Sequence, residues 1–88
     1  MFTVVWSDEA RDQLAEIWLD GETDVRREVT RYAATLDVNL RANGDRIGES
    51  RQPGSRTLAE ETIGVEFQVF QQDRLVRIVR TWRIYPRL

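Results

Sequence analysis

Apolar and polar positions repeat with two different periods along this chain, and the change of period marks out its elements. Phe2 to Trp6 is a short run rich in β-branched and aromatic residues, which predicts an opening strand. Ser7 follows as an N-cap, with Asp8 and Glu9 in a first turn where the helix dipole favours negative charge. Ala10, Leu14, Ile17 and Trp18 then recur at i, i+4, i+7 and i+8, one apolar stripe on a first helix. Asp20-Gly21 breaks it, and a second helix begins near Glu22 or Thr23. Its stripe is Val25, Val29, Tyr32, Leu36 and Leu40, with Ala33 beside them. Asn43-Gly44 predicts a left-handed stop. The helices form a short-linked antiparallel hairpin, each with an apolar surface to cover.

From Gly44 to Ser55 turn residues are so dense that the stretch reads as an irregular loop. Three strands follow: a short one around Arg56 to Ala59, a stronger one from Ile63 to Phe70, and a last one from Leu75 to about Trp82. Gln71-Gln72-Asp73-Arg74 makes the turn that pairs the last two as a hairpin. Val65, Phe67 and Val69 share the expected core face of their strand, and Glu66, Gln68 and Phe70 share the other. The chain thus reads β-α-α-β-β-β, one α+β domain over residues 1–88 with a helical hairpin on one face of a mostly antiparallel sheet.

The last strand is less decisive. Arg74, Arg77, Arg80 and Arg83 recur every third residue, a helical spacing, yet the run between them is β-prone and follows a turn. On a strand, Arg74 and Arg80 fall with Val76, Ile78 and Trp82, while Arg77 and Arg83 fall with Leu75 and Val79. Both faces are mixed, so period two leaves the buried face open. An Arg here serves as a phosphate contact, as an ion-pair partner for Glu66, or as a solvated charge. Trp82 and Tyr85 either stack on bases or close the end of the core.

Composition then removes most chemistry. The 88 residues include no Cys and no His, which excludes disulfides, thiolate nucleophiles, imidazole bases and the usual zinc and iron–sulfur ligands. All 13 basic residues are Arg, so lysine chemistry is excluded as well. No cofactor or metal site is expected, and a site must use carboxylates, Tyr, Arg or backbone. The glycines at 44, 48 and 54 do not have the spacing of a phosphate-binding P-loop. Net charge is −2, but the second half is basic and the first acidic, so any anion-binding surface is local. The amino-terminal residues lack a signal-peptide pattern and no apolar run is long enough to span a membrane, which predicts a cytoplasmic protein.

The element order, the stretch Gly48-Glu49-Ser50-Arg51 through Gly54-Ser55-Arg56, and the strand start Asp73-Arg74-Leu75-Val76 together resemble the RelE/ParE toxin superfamily of bacterial type II toxin–antitoxin (plasmid stabilisation) systems. The resemblance covers essentially the whole chain. It implies a microbial-ribonuclease-like α+β fold with a twisted sheet. It also implies a co-encoded antitoxin that wraps the toxin, and one of two targets: mRNA in the ribosomal decoding site, cut by a ribosome-dependent endoribonuclease, or DNA gyrase, inhibited by binding.

Carried over residue by residue, the ribonuclease version assigns function to Arg56, to Arg80 or Arg83 near the end of the last strand, and to Tyr85 as the carboxy-terminal aromatic. Cleavage would then be metal-independent attack by the RNA 2′-hydroxyl, with guanidinium groups neutralising the phosphate and Tyr85 or a carboxylate moving protons. The chain departs from that pattern at Glu66, where such nucleases commonly carry Arg. An acid there repels the scissile phosphate. Glu66 and the missing His favour the alternative, a gyrase inhibitor or an inert binding module of the same fold. A third option is an orphan domain that dimerises.

Overall fold

The computed structural model describes residues 1–85. Its elements are β1 (Thr3–Trp6), α1 (Asp8–Asp20), α2 (Thr23–Asn43), β2 (Glu49–Gln52), β3 (Ser55–Ala59), β4 (Ile63–Phe70) and β5 (Leu75–Arg83). The strands form one mixed sheet in the order β1-β5-β4-β3-β2. β1 runs parallel to β5, and the other neighbours are antiparallel. The two helices carry the chain from β1 at one edge of the sheet to β2 at the other, and it returns through β3 and β4 to set β5 parallel to β1. This is the expected α+β architecture with one strand more.

The helix boundaries follow the local chemistry. Ser7 Oγ accepts the Ala10 backbone N–H at 3.1 Å, closing the cap. After Gly21, the Arg26 guanidinium donates to the Trp18 and Leu19 carbonyls at 2.9 and 3.0 Å, satisfying the end of α1 from α2. The stripes cover the sheet as expected: Ala10, Val29, Leu36 and Leu40 are buried against Val4, Ile63, Val65, Phe67, Val76 and Ile78. Val69 is only half-buried at the end of that face. Trp18 departs from its stripe and is 40% exposed.

Three expectations are corrected. The stretch 44–55 is not wholly irregular, because β2 pairs antiparallel with β3 around Pro53-Gly54, with an irregularity between Ser50 and Gln52. All four β2 residues are exposed, so no apolar alternation marks the strand. Gly44 is not a left-handed stop: its φ of −55° and ψ of −26° continue the helical conformation. Glycine is required there for space, since a Cβ would lie 2.5 Å from Val76 Cγ2 and 2.8 Å from the Leu40 carbonyl.

The third correction concerns β5. Glu66 opposes Arg80 while Phe67 opposes Ile78, so Val79 is an extra residue and the strand is bulged there. Before the bulge, Val76 and Ile78 face the core; after it, Thr81 does. Arg80 therefore joins Arg77 and Trp82 on the face away from the helices, and Arg83, opposite buried Ile63, takes the helix side. Straight period-two alternation had divided these residues the other way.

Candidate functional site

The sheet face away from the helices is built from cross-strand rows. Glu49 of β2, Thr57 of β3, Glu66 of β4 and Arg80 of β5 are successive partners in one row. Directly opposed side chains in antiparallel strands project to the same face, so this row carries the only predicted site residue, Arg80, that lies on the open side. Arg80 Nε donates to Glu66 Oε1 at 3.1 Å, and its guanidinium also stands 4.9 Å from the Trp82 ring centre. The Trp82 ring in turn covers Gly64, where a Cβ would come within 2.5 Å of it. A glycine at that point lets the indole lie flat on the sheet and support Arg80.

Two further arginines share the face: Arg51, and Arg77 of the last-strand series, neither of them among the residues to which the resemblance assigns function. Arg51 donates to Thr57 Oγ1 at 3.3 Å and stands 3.9 Å from Glu49. Arg77 is exposed opposite Gln68 and makes no hydrogen bond or ion pair among the described residues. Placing Arg51 here needed β2, and placing Arg80 beside Arg77 needed the Val79 bulge, neither of which leaves a signature in hydrophobic periodicity. The face alternates cations with carboxylates and is not a convergent basic cradle.

Arg56, the second predicted residue, lies on the opposite face. It opposes buried Phe67, and its guanidinium donates from Nε to the Ile47 carbonyl at 2.8 Å and from Nη2 to the Gly48 carbonyl at 3.0 Å. These bonds pin the segment entering β2, where Gly48 adopts φ +78°. A guanidinium fork fits two adjacent carbonyls as it fits two phosphate oxygens, so Arg56 is occupied in holding backbone. Close by, Asp45 accepts from Gln71 Nε2 at 3.1 Å. That bond holds the Asp45 carboxyl below its ordinary pKa, and the charges of Arg46 and Arg74 act in the same direction.

Arg83 and Tyr85 do come together. The Arg83 guanidinium stacks 4.4 Å from the Tyr85 ring centre beside α1, in a cavity of about 180 Å³ that Gln13, Glu16, Asp20 and Thr81 also line. Arg83 Nε is buried without a hydrogen-bond partner among the described residues. The four predicted residues thus occupy three places: Arg56 on the helix side beside the segment entering β2, Arg80 on the open face, and Arg83 with Tyr85 beside α1. Among the described residues no cluster of acidic side chains could hold a metal ion, and no helix is long and apolar enough to cross a membrane.

No protein-family model matches the sequence, and no curated protein sequence matches it. Solved structures do match the fold. A chain of the RelBE2 toxin–antitoxin complex of Mycobacterium tuberculosis superposes with a TM-score of 0.75 at 17% identity, over 94% of this chain and 91% of that one. A chain of the chromosomal ParDE toxin–antitoxin system of P. aeruginosa gives 0.72 at 22% identity, over 97% and 98%. The isolated RelE toxin of E. coli gives 0.65 at 13% identity, over 99% and 88%. The architecture is therefore that of the RelE/ParE toxins, as the residue pattern implied.

Proposed function

We propose that this chain is the toxin component of a type II toxin–antitoxin module and that it acts by binding a protein target, as a ParE-type gyrase inhibitor does, without cutting RNA. The full-length likeness to chains from two toxin–antitoxin complexes supports a toxin with an antitoxin partner. The observation that carries the choice of mode is the ion pair between Glu66 and Arg80. Phosphoryl-transfer chemistry without a metal depends on cations aimed together at the developing charge. Here the open-face arginine nearest that role is neutralised by a neighbouring acid. Arg56 is held by backbone carbonyls, and Arg83 with Tyr85 lies on the other side of the sheet. With no His, Lys or Cys in the chain, proton transfer on that face would fall to carboxylates alone.

The test is controlled induction of the chain in a bacterial host, with growth, mRNA 5′ ends and supercoiling activity followed together. Growth arrest with intact mRNA and gyrase retained on the tagged chain is the expected result. Arrest with codon-periodic mRNA cleavage would overturn the binding mode and restore the ribonuclease reading, in which Arg83 stacked on Tyr85 would be the first pair to replace. Normal growth with soluble, folded chain in a host whose gyrase is sensitive to other inhibitors of this fold would overturn the toxin assignment itself.

A further inference from the structure

The sheet face that no helix covers is banded across its strands. On β4 its positions are Gly64, Glu66, Gln68 and Phe70, and each belongs to one cross-strand row. Trp82 lies over Gly64 at one end, and Phe70 faces Leu75 at the other. Phe70 is 40% exposed, and Val5, beside Arg77 on β1, is 38% exposed, so that apolar end is open to solvent. Between the two apolar ends stand the row of Glu66 with Arg80 and the row of Gln68 with Arg77. A strand rises about 3.4 Å per residue, which sets the Arg77 row about 7 Å from the Phe70 row and about 14 Å from the Trp82 row.

The charges on this face leave one cation over. Arg80 is paired with Glu66 at 3.1 Å, and Arg51 stands 3.9 Å from Glu49. Arg77 is exposed and has no acid of its own among the described residues. A polyanion would gain Arg77 but meet Glu66 and Glu49 in the next row. A second copy would bring a second spare cation and no spare acid. In the middle of the sheet the backbone groups are spent on the ladders, so an extended segment finds a strand to pair with only at the edges, β1 or β2. A lone helix needs a groove, and the apolar one lies between α1 and α2. What fits this face is the surface of a folded protein that presents one carboxylate between apolar side chains.

We infer that this face is where the chain holds its protein target, with a carboxylate of the target on Arg77 and apolar side chains of the target over Phe70 to one side and Trp82 to the other. The inference rests on the reading of the chain as a gyrase-binding toxin and assigns that reading its contact face. Trp and Arg dominate the energetics of protein interfaces, and they do so most when their side chains are held before binding. Trp82 meets that condition, seated on Gly64 with the Arg80 guanidinium 4.9 Å from its ring centre. Glu66 then has a positive role as well: it fixes Arg80 and leaves Arg77 as the cation that selects the partner.

Titration of purified gyrase onto the immobilised full chain tests the contact, with growth arrest followed in parallel. Arg77→Glu and Phe70→Asp, both at exposed positions, should each weaken retention about tenfold or more. Arg77→Lys keeps the charge and should bind more tightly than Arg77→Glu. Leu19→Glu, on the helical hairpin and 63% exposed, should bind as the wild type does. Circular dichroism of every variant separates lost folding from lost binding. A wild-type chain that retains no gyrase would overturn the gyrase reading and the inference with it. Wild-type retention that survives both Arg77→Glu and Phe70→Asp would overturn the inference alone, as would an equal loss in Leu19→Glu, which would place the contact on the hairpin. Growth arrest lost in Arg77→Glu with gyrase retention intact would also overturn it and give the face to another partner.

Discussion

Arg80 and Glu66 face each other across β5 and β4 as directly opposed residues, Nε to Oε1 at 3.1 Å, on the sheet surface that no helix covers. The Arg80 side chain is 56% exposed, so the pair adds little to stability, of the order of 0–1 kcal/mol. Its larger effect is on charge, because it cancels one of the cations that the open face offers to an anion and leaves Arg77 as the unpaired one among the described residues.

Glu66→Gln should accordingly leave the unfolding midpoint almost unchanged while raising affinity for single-stranded RNA about two- to tenfold at low salt. The gain should vanish in the Glu66→Gln, Arg80→Ala double variant. Fluorescence anisotropy with a labelled oligonucleotide at two salt concentrations measures both effects. An unchanged affinity in the single variant would mean that the ion pair does not control the face.

Arg56 behaves oppositely. Arg56→Ala removes two charge-assisted bonds to the Ile47 and Gly48 carbonyls and should cost about 1.5–3 kcal/mol in denaturant unfolding. Arg56→Lys should recover only part of this, since an ammonium lacks the fork that spans adjacent carbonyls. If Arg56→Ala unfolds at the wild-type midpoint, the guanidinium is not what holds the segment entering β2.

These contrasts show how far the sequence was legible. The helix stripes, the Ser7 cap, the Gly21 break and the Ile63–Phe70 strand are local patterns, read from spacing and realised in place. β2 escaped because Glu49 to Gln52 are exposed on an edge and owe their conformation to pairing with β3. The face assignment of the arginines escaped because one extra residue at Val79 reverses the alternation beyond it. Asn43-Gly44 suggests a left-handed conformation, whereas it is the small size of Gly44 that matters. Each miss depends on a partner outside the segment itself, on a neighbouring strand or across the core, which the periodicity of one segment does not contain.

Gly44→Ala isolates the last of these. Its backbone angles suit alanine, so any loss comes from the Cβ pressing on Val76 and the Leu40 carbonyl. Overpacking of that kind costs about 1–3 kcal/mol. Trimming the partner tests the cause: in a Val76→Ala background the Gly44→Ala penalty should shrink, a non-additivity visible in a double-mutant cycle.

Two ionisable groups give pH signatures of opposite sign. Tyr32 donates to Glu61 Oε2 at 2.7 Å, and this bond raises the Tyr32 pKa from its ordinary 10.0. Its contribution is complete below the unfolded value and is lost as pH rises through the folded one. Asp45, held below its ordinary 3.8, contributes above the unfolded value and loses that contribution as pH falls through the folded one. Absorbance titration should show one tyrosine ionising above the usual range, and Glu61→Gln should bring it back down. A late tyrosine that persists in Glu61→Gln would exclude the hydrogen bond as the cause.

The docking of α1 offers a final test, because it turns on one side chain. The bulge at Val79 frees the Thr81 backbone N–H from the β4 ladder and turns it toward the helix. There Gln13 Oε1 accepts it at 2.9 Å, while Thr81 Oγ1 donates to the Gly64 carbonyl at 2.7 Å. Gln13→Leu keeps the bulk but leaves a buried donor unpaired, a loss of about 1–3 kcal/mol. Gln13→Glu retains an acceptor and should stay close to wild type, although it adds a third carboxylate beside Glu16 and Asp20. Hydrogen exchange at Thr81 separates the two variants: protection should fall sharply in Gln13→Leu and persist in Gln13→Glu. Equal protection in both would mean that packing of Ala10 and Ile17, and not this bond, seats α1 on the bulged strand.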